Sequence, residues 1–339
     1  MIDFLTNYDT IAQRGDRMTM RELAKEAGVS VGTVSKAFRQ SDEISEPTRI
    51  RIFEIAKKNG CFYKYYKEKH DNKRVLILCP EIKSAHYSYH IEYIAGQLTR
   101  RGVDVTIVFD EFDPIKQERL LCSQAAMVDG ILTYSHILSL PKGIDIPIVG
   151  IGGKQAGATM DVVNINMEKA MMQAVSCLYN LGHRHIAYIG EKYASGRRNT
   201  FCKVMQKQGL AVENVIESDQ RFEAAGEYGI AKLCEETSKA TAIFCAYDNI
   251  AIGAIRALKE RGLRVPEDIS IVGMDNIPAT EQLDRTLTTI NVSPQAACDI
   301  ACDLLIRKMN NKYYCAGARI EIDSIFIERE TTGPIRTGG

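Results

Sequence analysis

The stretch that most constrains this 339-residue chain is 19–38, TMRELAKEAGVSVGTVSKAF, because it specifies two short helices and the turn between them. Thr19 followed three residues later by Glu22 is a capping box, and Leu23, Ala24 and Ala27 supply an apolar face. Gly28 ends that helix. Val29 begins the turn, Ser30 is placed to cap the next helix, and Val34, Ala37 and Phe38 recur at i, i+3 and i+4. Two helices about a glycine turn make a helix-turn-helix. A third helix is expected to open at Ser45 and Pro47, to be lined by Ile50, Phe53, Ile55 and Ala56, and to close at Asn59 and Gly60.

The side chains left over by a three-helix core carry the chemistry. On the second helix these are Val31, Gly32 and Lys36 with the hydroxyls of Ser30, Thr33 and Ser35. A recognition helix turns its N-terminal residues toward base edges in the major groove, while hydroxyls and basic groups hold phosphates. Val31 and Gly32 are therefore expected to face bases, and Lys36 to reach a guanine edge or a nearby phosphate. Thr19 joins them as a candidate contact. The alternative is a three-helix protein-interaction module, which the joint occurrence of caps, turn and polar leftovers disfavours. Formal charge over the whole chain is zero, yet residues 18–74 hold thirteen Lys/Arg against eight Asp/Glu, so positive charge is concentrated where DNA would lie.

Several function classes are disfavoured. The ten cysteines form no CxxC and no Cys/His zinc spacing, and read as small buried apolar groups of a reducing compartment. No signal peptide and no apolar run of about 20 residues is visible, so a cytoplasmic protein that does not span a membrane is expected. There is no GxGxxG, no GxxxxGK[ST] and no GxSxG, and His183-Arg184-His185 reads as the start of a strand rather than a metal site. Neither enzyme activity, cofactor nor metal is expected.

From residue 75 the pattern changes to short apolar runs alternating with amphipathic helices. Strands are expected at 75–79, 105–109, 130–133 and 146–150, with helices at 90–101 and 117–127. A second set places helices at 167–181, 197–208 and 249–261, and strands at 185–189, 242–245 and 269–273. Such alternation builds doubly wound parallel sheets with ligands beyond the carboxyl ends of the strands, and two similar sets imply two lobes with a cleft between them.

Residues 18–60, with an ungapped AGVS-x-x-TVS-[RK] core, resemble the headpiece of the lactose-repressor (LacI/GalR) family of bacterial regulators. The likeness continues over nearly all of 75–332, on LGHRHIAYIG at 181–190, ATAIFCAYDNIAIGAIRALKERGLRVPEDISIVGMDNIP at 240–278 and LTTI at 287–290. It implies an all-α helix-turn-helix headpiece joined to an α/β, two-lobed sensor domain similar to periplasmic binding proteins. Operator choice then falls to Val31 and Gly32, and a base contact to Lys36, where lysine stands in place of the usual arginine. The same likeness assigns an effector pocket to His86, Tyr87, Arg197, Phe222, Tyr247 and Asp275. The resemblance implies a sugar or sugar derivative as effector, while Gly152, at a position that is often acidic, and the bulky Tyr247 argue against assuming an ordinary monosaccharide. A modified sugar, a glycoside or a nucleobase would suit these groups.

The linker departs from that pattern. Residues 61–70 read CFYKYYKEKH, lacking the proline, asparagine and leucine by which the family forms a minor-groove helix. In one reading Tyr65 or Tyr66 serves as the wedge, Lys64 adds to the DNA contact, and Lys67, Lys69, Lys73 and Arg74 raise the salt dependence of binding. In the other, Phe62, Tyr63, Tyr65 and Tyr66 pack the linker against a neighbouring domain.

The expected division is an extra N-terminal segment at 1–17, which a disordered arm would suit, a headpiece at 18–60, a linker at 61–74, a sensor at 75–332 and a tail at 333–339. The lobes are expected at about 75–165 with 292–322 and at about 166–291 with 323–332. The partners implied are an approximately palindromic double-stranded operator, a small effector and a second copy of the chain, since the end RETTGPIRTGG holds no leucine heptads for a tetramer. Repression relieved by ligand is the expected mode. The rivals are an effector-activated or co-repressed regulator sensing a nucleobase and, more remotely, a solute-binding protein.

Overall fold

The computed structural model describes residues 18–39, 41, 43–62, 65, 72–137, 140–141, 143–144, 146–152, 160–236, 238–292, 294–311 and 317–335. The chain falls into two compact units, Met1–Lys73 and Arg74–Gly339.

In the first unit, α1 (Met20–Glu26), α2 (Val31–Phe38) and α3 (Glu46–Lys58) surround one small core. The capping box forms: Thr19 Oγ1 accepts the Glu22 N–H at 3.3 Å, and the Glu22 carboxylate accepts the Thr19 N–H at 2.7 Å. Gly28, at φ +65°, makes the left-handed turn that ends α1, and Ser30 Oγ caps α2 by accepting the Thr33 N–H at 3.0 Å. Leu23, Val34, Phe38, Ile52 and Ala56 are fully buried. Ile50, expected to line α3, is instead exposed, because the buried stripe runs through Ile52 and Ala56 at i and i+4.

The second unit contains two parallel sheets. In the first lobe β1 (Arg74–Cys79), β2 (Asp104–Phe109), β3 (Gly130–Thr133), β4 (Ile148–Ile151), β5 (Asp161–Asn166) and β11 (Arg319–Asp323) lie in the order β11-β5-β4-β3-β1-β2. Flanking it are α4 (Ala85–Arg100), α5 (Pro114–Gln124) and α10 (Pro294–Asn310). Ala297, Cys298, Ala301, Cys302 and Leu305 of α10 are buried at helical spacing, their small side chains packing close to the sheet. In the second lobe β6 (Ile186–Glu191), β7 (Val215–Ser218), β8 (Ala242–Cys245) and β9 (Ser270–Val272) take the order β7-β6-β8-β9. The helices of this lobe are α6 (Met167–Asn180), α7 (Ser195–Lys207), α8 (Glu223–Glu235) and α9 (Asp248–Glu260).

Helices α8 and α9 touch through glycine. A Cβ on Gly226 would stand 2.1 Å from the Ile250 carbonyl oxygen, and one on Gly253 would stand 2.0 Å from that of Glu223. The chain passes between the sheets at Asn166, after β10 (Thr289–Asn291), and at Ser324, before β12 (Ile325–Ile327). β10 and β12 pair antiparallel, and the Ser324 hydroxyl donates to the Asn166 carbonyl at 2.7 Å.

Helix α4 starts at Ala85, five residues earlier than the sequence pattern suggested, because His86, His90, Ile91 and Ile94 continue one inward face. His183 is buried at the entry to β6, with Nδ1 2.8 Å from Thr241 Oγ1 and Nε2 2.9 Å from the Gly333 carbonyl. Cys122 and Cys234 are exposed, which corrects the expectation that the cysteines are buried groups throughout; each stands on the outer face of its helix. Among the described residues no group of His, Cys, Asp and Glu is arranged to hold a metal, and no helix is long and apolar enough to cross a membrane.

Candidate functional site

On α2 the apolar face is consumed by Val34, Ala37 and Phe38, which leaves Ser30, Val31, Gly32 and Lys36 at the surface, with Thr33 and Ser35 half-buried. Val31 is 42% exposed on the first turn of α2 and is open to contact with a partner. Lys36 is ion-paired with Glu43, both groups being well exposed. Thr19 is exposed but engaged in its cap.

Tyr65 does not stand with these residues. It is 5% exposed, its ring meets Phe38 edge-on at 5.9 Å, and its hydroxyl donates to the Met18 carbonyl. Phe62 packs beside it, 5.1 Å from Phe53. Of the two readings left open for the linker, Tyr65 and Phe62 follow the packing one: both sit against the headpiece core formed with Phe38 and Phe53. Lys64, Tyr66, Lys67 and Lys69 lie outside the described residues.

In the second unit, the polar side chains that face the cleft follow the carboxyl ends of the parallel strands, where each sheet's order reverses. Glu81 follows β1, Tyr134 follows β3, Glu191 ends β6, Tyr247 follows β8 and Asp275 follows β9. Arg197, in the first turn of α7, donates to both Asp275 oxygens at 2.6 and 3.1 Å and to the Ala246 carbonyl at 2.7 Å. Asp275 has φ +112° and Asn276 φ +55°, backbone positions that non-glycine residues adopt rarely and that cluster at ligand sites. They are held by the Asp275 N–H donating to the Ile290 carbonyl at 2.9 Å. Behind them, buried Asp248 accepts from the Thr289 hydroxyl at 2.6 Å and the Ile277 N–H at 2.9 Å. Burial, reinforced by Asp275, raises the Asp248 carboxyl to about 7.

From the first lobe, His86 Nδ1 comes within 3.5 Å of Asp275 Oδ1, and its ring lies 4.2 Å from His90. Burial, with Arg197 beside it, lowers the His86 imidazole to about 3, so it faces Asp275 as a neutral ring. Burial lowers His90 to about 2, with His86 adding to the effect.

Five of the six expected pocket residues, His86, Tyr87, Arg197, Tyr247 and Asp275, line one small cavity of about 100 Å³. Two larger cavities flank it. One of about 650 Å³ runs past Tyr87, Tyr134, Gly152, Asn164, Asn166 and Arg197, and one of about 520 Å³ lies between α4 and the 275–281 loop. Ligand pockets fall in the range of roughly 300–1,000 Å³. Phe222 lines none of the three: at φ +56° it precedes α8 and flanks the Arg221 guanidinium at 4.5 Å.

The sequence reading passed over a clasp between the lobes. Arg221 donates to both oxygens of Glu81 at 2.6 and 2.9 Å, and through Nε to Glu191 at 2.8 Å. Glu81 belongs to the first lobe, Arg221 and Glu191 to the second. Over this bridge Phe112 stacks on Tyr193 at 4.2 Å and 19°, again across the cleft. The position of Glu81 and Glu191 at strand ends was the available signal.

Residues 19–60 match the family model described as bacterial regulatory proteins, lacI family, and residues 175–332 match a periplasmic binding protein-like domain. The chain is 28% identical over 330 residues to the HTH-type transcriptional repressor CytR of Escherichia coli (strain K12), covering 93% of this chain and 96% of that one. It is 29% identical over 332 residues to the HTH-type transcriptional repressor PurR of Proteus mirabilis (strain HI4320), with 92% and 96% covered. Among solved structures, the lac repressor dimer bound to operator and the anti-inducer ONPF superposes with a TM-score of 0.74 at 20% identity, over 93% of this chain and 99% of that one. The transcriptional regulator CelR–cellobiose complex gives 0.68 at 23%, over 93% and 100%.

Proposed function

This chain belongs to the lacI family of bacterial regulatory proteins, and from that premise we propose that it is a sequence-specific transcriptional repressor whose operator affinity is set by a small effector. The carrying observation is the Arg197–Asp275 pair, lodged between two lobes in a chain whose other unit is a helix-turn-helix. A bidentate guanidinium–carboxylate pair presents fixed donors and acceptors to ligand hydroxyls or a ring edge, and Tyr87, Tyr134 and Tyr247 give flat apolar faces beside it. That combination suits a sugar derivative or a nucleobase-bearing ligand.

On this reading Val31, Gly32 and Lys36 contact base edges, and Ser30, Thr33 and Ser35 fix register on phosphates. The chain acts in the cytoplasm as a homodimer on an approximate palindrome, with half-sites about one helical turn apart. It carries out no catalysis. Effector binding changes the lobe angle and releases DNA, with a coupling free energy of about 1–3 kcal/mol. The deciding experiment is operator selection from a random duplex library, followed by mobility shift with and without ligands found by thermal shift. Failure to enrich any sequence would overturn the proposal.

A further inference from the structure

Beyond β9 the chain continues beside β10. The Gly273 N–H donates to the Thr288 carbonyl at 2.9 Å and the Asp275 N–H to the Ile290 carbonyl at 2.9 Å, every second residue donating as in a parallel ladder. Positive φ at Asp275 and Asn276 then turns the chain out of that ladder, and the next donor in the series, the Ile277 N–H, leaves β10 behind. It donates instead to Asp248 Oδ2 at 2.9 Å, while Oδ1 of the same carboxyl accepts from the Thr289 hydroxyl of β10 at 2.6 Å.

Asp248 is 1% exposed and opens α9, its own N–H donating to the Met274 carbonyl at 2.8 Å. Gly273 leaves room for the carboxyl, since a Cβ there would lie 2.3 Å from Oδ1. A buried carboxyl is costly unless its oxygens are met. Here both are, one by the turn and one by the strand that crosses between the lobes. Arg329, which follows β12, grips the turn from another side by donating to the Asn276 side chain at 2.8 Å, but that bond holds a side chain and not the backbone. Both Asp248 contacts survive protonation, because a proton on Oδ1 is donated back to the Thr289 oxygen. An amide of the same shape presents the same donor and acceptor.

We propose that Asp248 is a positioning residue of the effector site: it bolts the 275–277 turn to β10, so that the Asp275 carboxylate and the crossing strand move as one piece. This rests on the effector-controlled reading above. Its test is native-state amide hydrogen exchange of the full chain, comparing 273–280 with 186–191 in β6. Asp248→Ala speeds exchange in the turn about tenfold or more, as expected of an N–H that loses a charged acceptor, while β6 keeps its wild-type rates. Asp248→Asn stays close to wild type, its Nδ2 donating to Thr289 and its Oδ1 accepting from Ile277. Thr289→Val, which removes a hydroxyl from β10 and no bond of the turn itself, speeds the same amides and adds nothing further in the Asp248→Ala background.

The proposal is overturned if Asp248→Ala leaves exchange in the turn unchanged, or if it speeds β6 equally, as a general loss of stability would. It is also overturned if Asp248→Asn exchanges as fast as Asp248→Ala, or if the effects of Thr289→Val and Asp248→Ala add in full. All four outcomes are read without effector or operator. Failure to enrich any operator sequence would instead remove the regulator reading and leave the exchange result as it stands.

Discussion

Arg197 and Asp275 lie 78 residues apart in sequence and share two hydrogen bonds, of 2.6 and 3.1 Å, with the Asp275 backbone held in a positive-φ conformation to meet them. A pair arranged in this way answers a ligand by geometry as well as charge. Asp275→Asn, which keeps the volume, is expected to weaken effector binding at least about tenfold while operator binding persists, because an amide no longer supplies two charged acceptors. Arg197→Lys should fail to retain effector binding, since an ammonium cannot span both oxygens. Asp275→Ala leaves a buried guanidinium uncompensated and is expected to cost roughly 3–5 kcal/mol in stability. Titration calorimetry, mobility shift and urea unfolding read the three effects.

The Glu81–Arg221 bridge and the Phe112–Tyr193 stack join the lobes across the cleft. Arg221→Ala removes the bridge and strips the cation from the aromatic group. The expected outcome is a wider lobe angle, seen as a larger radius of gyration in small-angle scattering of the ligand-free protein. An unchanged scattering curve would mean that the stack alone suffices.

Acidification acts through three buried groups. His86 and His90 are held neutral down to about 3 and about 2, whereas an unfolded imidazole binds its proton near 6.5. As pH falls below 6.5 the unfolded state therefore gains protons that the folded state refuses, and stability is lost. Asp248 opposes this, since it binds a proton near 7 when folded but only near 3.8 when unfolded. Between about pH 4 and 6 two imidazoles compete with one carboxyl, so the imidazoles prevail and stability falls as acid is added. Denaturant unfolding across this range should show Asp248→Asn steepening the loss and His90→Asn flattening it.

Much of this was legible in the sequence because local chemistry is explicit there. Thr19 and Glu22 announce their cap, and strand–helix alternation announces both sheets. Arg197, Asp275, His86, Tyr87 and Tyr247 were named as one pocket, through a family likeness, and the fold brings them to one cavity. Other features depend on contacts between distant segments. Nothing around Glu81 or Arg221 reveals that they meet across 140 residues, and the Phe112–Tyr193 stack depends on how closely the lobes approach. Which of its two readings Tyr65 follows depends on distant contacts in the same way, since its packing is set by the cluster of Phe38, Phe53 and Phe62. Strands β5, β7 and β11 and helices α8 and α10 also lacked a distinct pattern of their own, Gly226 and Gly229 breaking up α8.

The contact between α8 and α9 leaves no room for a methyl group. Gly253→Ala would drive its Cβ against the Glu223 carbonyl, and overpacking against backbone is expected to cost at least about 1–3 kcal/mol. Thermal unfolding of the second unit would show the loss, whereas Gly196→Ala, with nothing within 4 Å of the added atom, should leave the melting temperature nearly unchanged.

On the DNA side, Lys36 pairs with the exposed Glu43, a partner it can give up at little cost. Lys36→Ala is expected to reduce operator affinity. If the lysine contacts a phosphate, the slope of log affinity against log salt should fall by about 1 for all sequences; a base contact would instead relax selectivity at one operator position. Binding isotherms at several salt concentrations, on matched operator variants, separate these outcomes.

The passages between the lobes at Asn166, Asn291 and Ser324 are stitched together by the β10–β12 pairing and the Ser324–Asn166 hydrogen bond. Sliding one lobe along the other would tear that stitching, whereas tilting asks only for small torsional changes in three short segments. On the proposed reading, ligand occupancy would be translated into rotation about a single axis, and because the Asp275 N–H is bonded to Ile290 within β10, that axis would begin one hydrogen bond away from the carboxylate proposed to sense the ligand.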